Sequence, residues 1–343
     1  LATVVEQFNN EYSGSVSIST EYHTAENIKS DFEAAFRNGG GPDILVADHQ
    51  WLAQFLDQRL IYPIDESVVN IIQSDFPLTV FQSYFYRDQI IAVPLWSDML
   101  VLYTNLGLVT AAPTNIDELI TIAESRPFVL YPGVEGTAGL YSDSTDSFIV
   151  SLDGDLILLK QSFVNYLKLY RRLLGTEGIT FSDDPTGFIN GEVGGLVGFA
   201  SDYQQFHDVL GDDLYVSILP LNNQAYWQTF ADLTPLVISQ NAPDSNITAA
   251  NLFFAYLLAP DIQVQLATRA NRIPLITSSN ADLDSVARVG LQQLQWASAM
   301  SPYPLFDDTV LPEMNAILSQ VSASSTDSDL DLLADQFFAT IQE

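Results

Sequence analysis

Over its first hundred residues the chain switches repeatedly between two periodicities, and this alternation restricts the fold more than any other feature. Leu1, Val4, Val5 and Phe8 recur at helical spacing, "SVSIST" (15–20) alternates as a strand, and a helical pattern occupies about 24–37. "DILVA" (43–47) is a short apolar strand, and another helical pattern runs from about 50 to 57. "QIIAVPLWSDMLVLYTN" (89–105) then reads as two strands broken at Pro94. A helix over 115–125 follows, with Asn115 as its N-cap and Asp117 and Glu118 in the electropositive first turn. Alternation of this kind is what a sheet covered by helices requires.

The pattern continues with a strand at 128–131, a glycine-rich loop "PGVEGTAG", a long helix at about 157–174 and "GFINGEVGGLVGFASDY" (187–203). In the last of these a short helix end leads through a glycine turn into an apolar strand, whose glycines let something approach the backbone closely. The strand "LYVSILPL" (214–221), helices at about 245–258 and 260–269, and helical segments near 281–299, 308–322 and 328–342 complete the chain. At 343 residues it exceeds one ordinary core, and its connections are short. Two closely connected lobes are therefore expected rather than separate domains on linkers. Leu1 already stands inside a helical pattern, so an export signal and an N-terminal strand are expected to precede it.

Several function classes are excluded. Twelve Lys and Arg face 43 Asp and Glu, a net charge of −31. That balance repels nucleic acid and anionic lipid and reads as a solvating surface, suited also to saline surroundings. Without cysteine there is neither a disulfide nor a thiolate site. His23, His49 and His207 lack metal-ligand spacing, so no metal and no cofactor is expected. Nucleophile-elbow, phosphate-loop and dinucleotide motifs are missing. "DSDLDLLAD" (327–335) lacks the glycine and closing Glu of a calcium loop, and reads as the capped start of a helix. A pair of carboxylates for glycoside hydrolysis stays open, because separation in space is not readable from sequence.

"GPDILVADHQWLAQFLDQRLIYPI" (41–64) resembles, without a gap, the signature of the extracellular solute-binding proteins of ABC importers, in particular their maltose/maltodextrin branch. Gly41, Pro42, Asp43 and Ile44 carry the match, with Leu60 and Ile64 at apolar anchor positions. "YRDQIIAVPLWSDMLVLYTNLGLV" (86–109) is similar to that family's crossover, 187–206 to its helix-to-strand turn, and the segment after Leu214 to its return crossover. The resemblance implies an α/β, two-lobed periplasmic-binding-protein fold (type II), each lobe a mixed sheet flanked by helices, with the first strand of lobe 1 missing. Lobe 1 would comprise 1–96 and 237–278, and lobe 2 would comprise 97–236 and 279–343, with crossovers near 94–98 and 231–237 as the hinge. It further implies a monomeric, non-enzymatic receptor outside the cytoplasm, periplasmic or lipid-anchored, which closes on a sugar or oligosaccharide and delivers it to a membrane permease. Two alternatives stand beside it: a carbohydrate hydrolase, and the same fold with a cationic, polyamine-like ligand.

The resemblance also nominates residues. Asp48, Gln50 and Trp51 stand where the first strand ends, although Ala47, Gln50 and Trp51 replace the family's stacking Trp, sugar-binding Asp and Arg. Asp98 falls at the family's sugar-contacting acid, and is either that or a solvated hinge residue. Trp96 is either binding wall or core. Tyr203 corresponds to a stacking aromatic, and Tyr131, Glu135 and Tyr141 border a loop that carries another in relatives. Trp227 and Asp232 lie on the return loop, where large side chains either narrow the site or fill core. Phe306 is expected to supply a distal aromatic, and Trp296 to pack in the core.

Overall fold

The computed structural model describes residues 1–137, 151, 155–222, 225–275 and 283–341, so Tyr141 lies outside the described residues. The chain divides into two compact units. The first comprises Leu1–Ser97, Asp232–Leu283 and Pro302–Pro304; the second comprises Asp98–Ala231, Asp284–Ser301 and Leu305–Glu343.

In the first unit, strands β1 (Ile44–Val46) and β2 (Ile61–Tyr62) precede a two-stranded hairpin, β3 (Phe85–Tyr86) and β4 (Gln89–Ile90), and then β5 (Val93–Asp98). The second unit contributes β6 (Leu100–Asn105), β7 (Phe128–Leu130), β8 (Ile179–Phe181), β9 (Gly195–Phe199) and β10 (Leu214–Ser217). β11 (Asp232–Ser239) returns to the first unit, where it pairs antiparallel with β1 on one side and β2 on the other and also pairs with β5. Its run "LVIS" is buried throughout, as an inner strand requires. Around this sheet, Phe8 of helix Ala2–Glu11 meets Phe253 and Tyr256 of helix Asp244–Leu257 at ring-centroid distances of 5.0 and 5.3 Å.

The expected strand at 15–20 does not form. Ile18 instead exchanges two hydrogen bonds with the Asn9 side chain, donating its N–H at 2.7 Å and accepting Nδ2–H at 2.8 Å. Alternating residues make a strand only where a ladder partner exists, and here a side chain takes that role. The expected helix at 115–125 forms as Ile116–Ala123, with the Asn115 side chain accepting from the Glu118 N–H at 2.9 Å. The aspartate-rich stretch begins helix Asp327–Ile341, and Asp329 accepts from the Thr326 N–H and hydroxyl.

The second unit holds a mixed five-stranded sheet in the order β10-β6-β9-β7-β8, antiparallel across β6 and parallel across β7. The glycines of "EVGGLVG" are explained here. A Cβ on Gly195 would lie 2.2 Å from the Phe128 ring, and one on Gly194 2.6 Å from Val109. What approaches the strand closely is therefore a core phenyl ring, fully buried, on the neighbouring strand. Because Phe128 has no free volume to move into, Gly195→Ala is expected to cost about 1–3 kcal/mol of unfolding free energy, the range for an overpacked core. Urea denaturation checks this; a variant as stable as the parent would show that the strand can shift to make room.

Candidate functional site

Within the first unit the candidate residues converge because of strand register. β1 and β11 run antiparallel with Val46 opposite Leu236, and Ala47 donates its N–H to the Pro235 carbonyl at 2.9 Å. The same register carries Asp232, where β11 begins, to the level of Asp48 and Gln50, where β1 has just ended. Asp48 caps the short 3-10 turn His49–Trp51, its carboxylate accepting the Gln50 N–H at 3.0 Å. That cap turns Gln50 outward and His49 inward. His49 is buried and donates from Nε2 to the Ser83 carbonyl at 2.9 Å, anchoring the turn. Trp51 stays half-buried against Phe55, with the Lys29 ammonium 5.6 Å from its ring centroid. Trp96 is half-buried on β5.

The electrostatics of this surface are unusual. Desolvation by neighbouring protein raises the Asp232 carboxyl above its ordinary pKa although Asp232 is solvent-exposed; Arg272 opposes the shift and Asp48 adds to it. Close by, Tyr84 is fully buried with an unpartnered hydroxyl, and both burial and the Asp232 charge hold its phenol well above the usual value. Tyr84 and Arg272 carry no signal in the sequence, since one reads as a core aromatic and the other as an ordinary surface charge.

In the second unit the C-terminal ends of the parallel strands β7 and β9 lie at one edge, the place where loops of such sheets collect ligands. Tyr131, just past β7, is half-buried and meets Phe199, the last residue of β9, edge-on at 5.4 Å. β9 passes through a 3-10 turn, Ala200–Asp202, into helix Tyr203–Leu210. Tyr203 is half-buried and stacks on His207, one helical turn along, at 5.4 Å with an interplanar angle of 10°. Asp98 is only 3 % exposed, and one of its oxygens accepts from the N–H groups of Met99 (2.9 Å) and Ser201 (3.2 Å). The Tyr103 hydroxyl donates to the Phe199 carbonyl at 2.7 Å, with the Ala200 carbonyl 3.2 Å away.

Other nominated residues are spent elsewhere. Trp227 is 1 % exposed, and its indole N–H donates to the Gly136 carbonyl at 2.9 Å. Phe306 is equally buried, edge-on to Phe230 at 5.4 Å. Both fill the core of the second unit. Glu135 is exposed on the short helix Gly133–Thr137. Trp296, expected in the core, is 38 % exposed and lies parallel to Tyr226 at 3.9 Å; its helix stops at Leu294, so helical periodicity no longer sets its direction. A cavity of about 510 Å³ in the second unit, walled by Leu106, Pro113, Tyr215, Leu219 and Tyr226, contains none of the nominated residues. Among the described residues no group of three or more His, Asp or Glu is placed to hold a metal ion.

Comparison with known proteins gives a consistent result. A family model described as bacterial extracellular solute-binding protein matches residues 3–291. An extracellular solute-binding protein from Staphylococcus aureus, solved with maltose, superposes with a TM-score of 0.85 at 16% identity, over 99% of this chain and 93% of that one. The ligand-free maltodextrin-binding protein of L. casei BL23 gives 0.82 at 13% identity, over 100% of this chain and 95% of the other. These likenesses show the two-lobed periplasmic-binding-protein fold. A maltotriose-binding protein of Pyrococcus abyssi is 25% identical over 97 residues, a segment covering 28% of this chain and 21% of that relative.

The raised pKa of Asp232 has a testable consequence. A carboxyl whose pKa is higher folded than unfolded is penalised in its ionised form, so the penalty is complete at neutral pH and vanishes below the unfolded value. Asp232→Asn is therefore expected to stabilise the protein slightly at pH 7, by no more than about 1 kcal/mol for so exposed a group. The gain should shrink as pH falls and close below about pH 3.9. Denaturation of both forms across this range checks it; a gain that is constant with pH would assign the effect to something other than the charge.

Proposed function

The chain belongs to the bacterial extracellular solute-binding proteins, and from that premise we propose that it is an extracytoplasmic receptor that closes on a small neutral sugar or oligosaccharide and passes it to the permease of an ABC importer. What supports the carbohydrate reading is that each unit pairs a half-buried aromatic ring with polar groups: Trp51 beside Asp48 and Gln50 in the first, Tyr203 beside Asp202 in the second. Aromatic faces suit the C–H faces of a pyranose, and carboxylates and amides suit its hydroxyls. Asp48, Gln50, Trp51, Trp96 and Asp232 are the proposed ligand residues of one unit, and Tyr131 and Tyr203 those of the other. Maltose and maltotriose, the sugars in the names of similar proteins, are the first solutes to test.

Binding without chemistry is part of the reading, since a receptor returns its solute unaltered. A ligand that binds one conformation better than another shifts the population toward it, and that shift is what a permease can recognise. The Arg272 charge beside Asp232 argues for a neutral solute over a polyamine, because it already compensates one of the two carboxylates.

A thermal-shift panel of sugars, polyols, polyamines and amino acids tests the proposal. At a hundredfold excess over Kd the correct sugar adds about 2.7 kcal/mol of stability and is recovered intact by chromatography. Tyr203→Ala, which removes a stacking ring, is expected to weaken binding about tenfold. Stabilisation by amines or amino acids alone, or a cleaved sugar, would sink the reading.

A further inference from the structure

The acid just past the crossover proline is the residue for which the structure departs furthest from what the resemblance implies. A carboxylate that binds a sugar needs open lone pairs. Asp98 is 3 % exposed, and one of its oxygens is shared between two backbone N–H groups, those of Met99 and Ser201. A solute reaching that oxygen would have to displace both.

These bonds join two stretches far apart in the chain. Ala200 donates its N–H to the Met99 carbonyl at 2.9 Å, and Leu100 pairs with Phe199 in the β6–β9 ladder. Tyr103, fully buried on β6, brings its hydroxyl to the carbonyls of Phe199 and Ala200. Consecutive backbone groups from the Phe199 carbonyl to the Ser201 N–H are thus held by Met99, Asp98 and Tyr103. Two residues later the chain enters the helix that begins with Tyr203, whose ring is backed by His207. Burial, with the nearby Asp202 and Asp98 charges, keeps the Tyr103 phenol protonated and therefore a donor.

We propose that Asp98 is a positioning residue, not a ligand contact: with Tyr103 it clamps the 199–201 turn so that Tyr203 is presented in one orientation. The clamp itself is made entirely by the chain's own groups. Only its consequence for binding rests on the sugar-receptor reading, through the role given to Tyr203. A rigid platform lowers the ordering cost of binding, so loss of the clamp should appear as weaker affinity without loss of any ligand contact.

The experiment has a ligand-free arm and a ligand arm, using the full chain as Asp98→Ala, Asp98→Asn and Tyr103→Phe. Hydrogen exchange without solute should show faster exchange across 199–203 in Asp98→Ala and in Tyr103→Phe. Asp98→Asn, which keeps an acceptor oxygen, should restore most of the protection. Titration with maltotriose, followed by tryptophan fluorescence, should show Asp98→Ala weakened by about tenfold or more, as for loss of a charge-assisted hydrogen bond, and Tyr103→Phe by about tenfold, as for loss of a neutral buried one. Asp98→Asn should recover most of what Asp98→Ala loses. Unchanged exchange across 199–203 in both clamp variants overturns the proposal. So does an Asp98→Asn protein that keeps the protection yet loses as much affinity as Asp98→Ala, since the charge would then be touching the sugar. If the parent protein does not bind maltotriose, the sugar reading fails for that solute and the exchange arm alone decides on the clamp. If Asp98→Ala does not fold, Tyr103→Phe carries both arms, because Tyr103 is inaccessible to any solute.

Discussion

The first unit depends on one strand that arrives late. β11 is paired with β1, β2 and β5, all of them made from the first hundred residues, so the sheet is completed only when the chain has finished most of the second unit. Closing such a loop costs entropy that no local contact repays, and it makes the pairing non-local and slow to form. The same pairing has a chemical result, because the register that buries Leu236, Val237 and Ile238 also sets Asp232 level with Asp48 and Gln50. A slip of one residue would send Asp232 to the opposite face and expose the apolar run. Fold and candidate site are therefore specified by one set of backbone hydrogen bonds.

The second unit solves a different problem. Its sheet is parallel where β7, β8 and β9 meet, and parallel strands bring their C-terminal ends to one edge. For β9 to pair this closely with β7, the Phe128 ring has to lie against its backbone, which is possible only because positions 194 and 195 carry no side chain. The glycines thus act on the candidate site at a distance. They seat the strand whose end carries Phe199, the clamped turn and Tyr203.

Charge works in a more diffuse way. Several of the few cations form surface ion pairs, Arg37 with Glu33, Arg87 with Asp57, Arg172 with Asp117, and Lys168 and Arg171 with Asp327, and each such pair contributes little to stability. Most of the 43 acids therefore act as hydrated surface. Where two of them, Asp48 and Asp232, are close enough to interact, the chain also places the Arg272 charge near Asp232. The guanidinium charge offsets part of the desolvation that disfavours the ionised Asp232 carboxylate.

Much of this was legible in the sequence, and what was not shares a cause. Helix and strand periodicities located many of the elements to within a few residues, because burial on one face repeats along the element itself. The break expected at Pro94 instead falls at Met99, between β5 and β6, and helix Glu66–Asp75 is not among the elements expected. The strand expected at 15–20 failed because alternation says nothing of whether a ladder partner exists, and here Asn9 takes the place of one. Trp227 and Phe306 were nominated by position along the chain, and the structure buries them, a three-dimensional fact with no one-dimensional trace. Asp98 is the sharpest case. It stands just past Pro94 as the sequence shows, yet the direction of its carboxylate depends on the Ser201 N–H, which lies 103 residues along the chain and reaches it through the neighbouring strand β9. An acid can be matched to a family's binding acid by sequence and still act on the protein's own backbone, because residue type fixes what a group can accept, and the fold decides which donors reach it first.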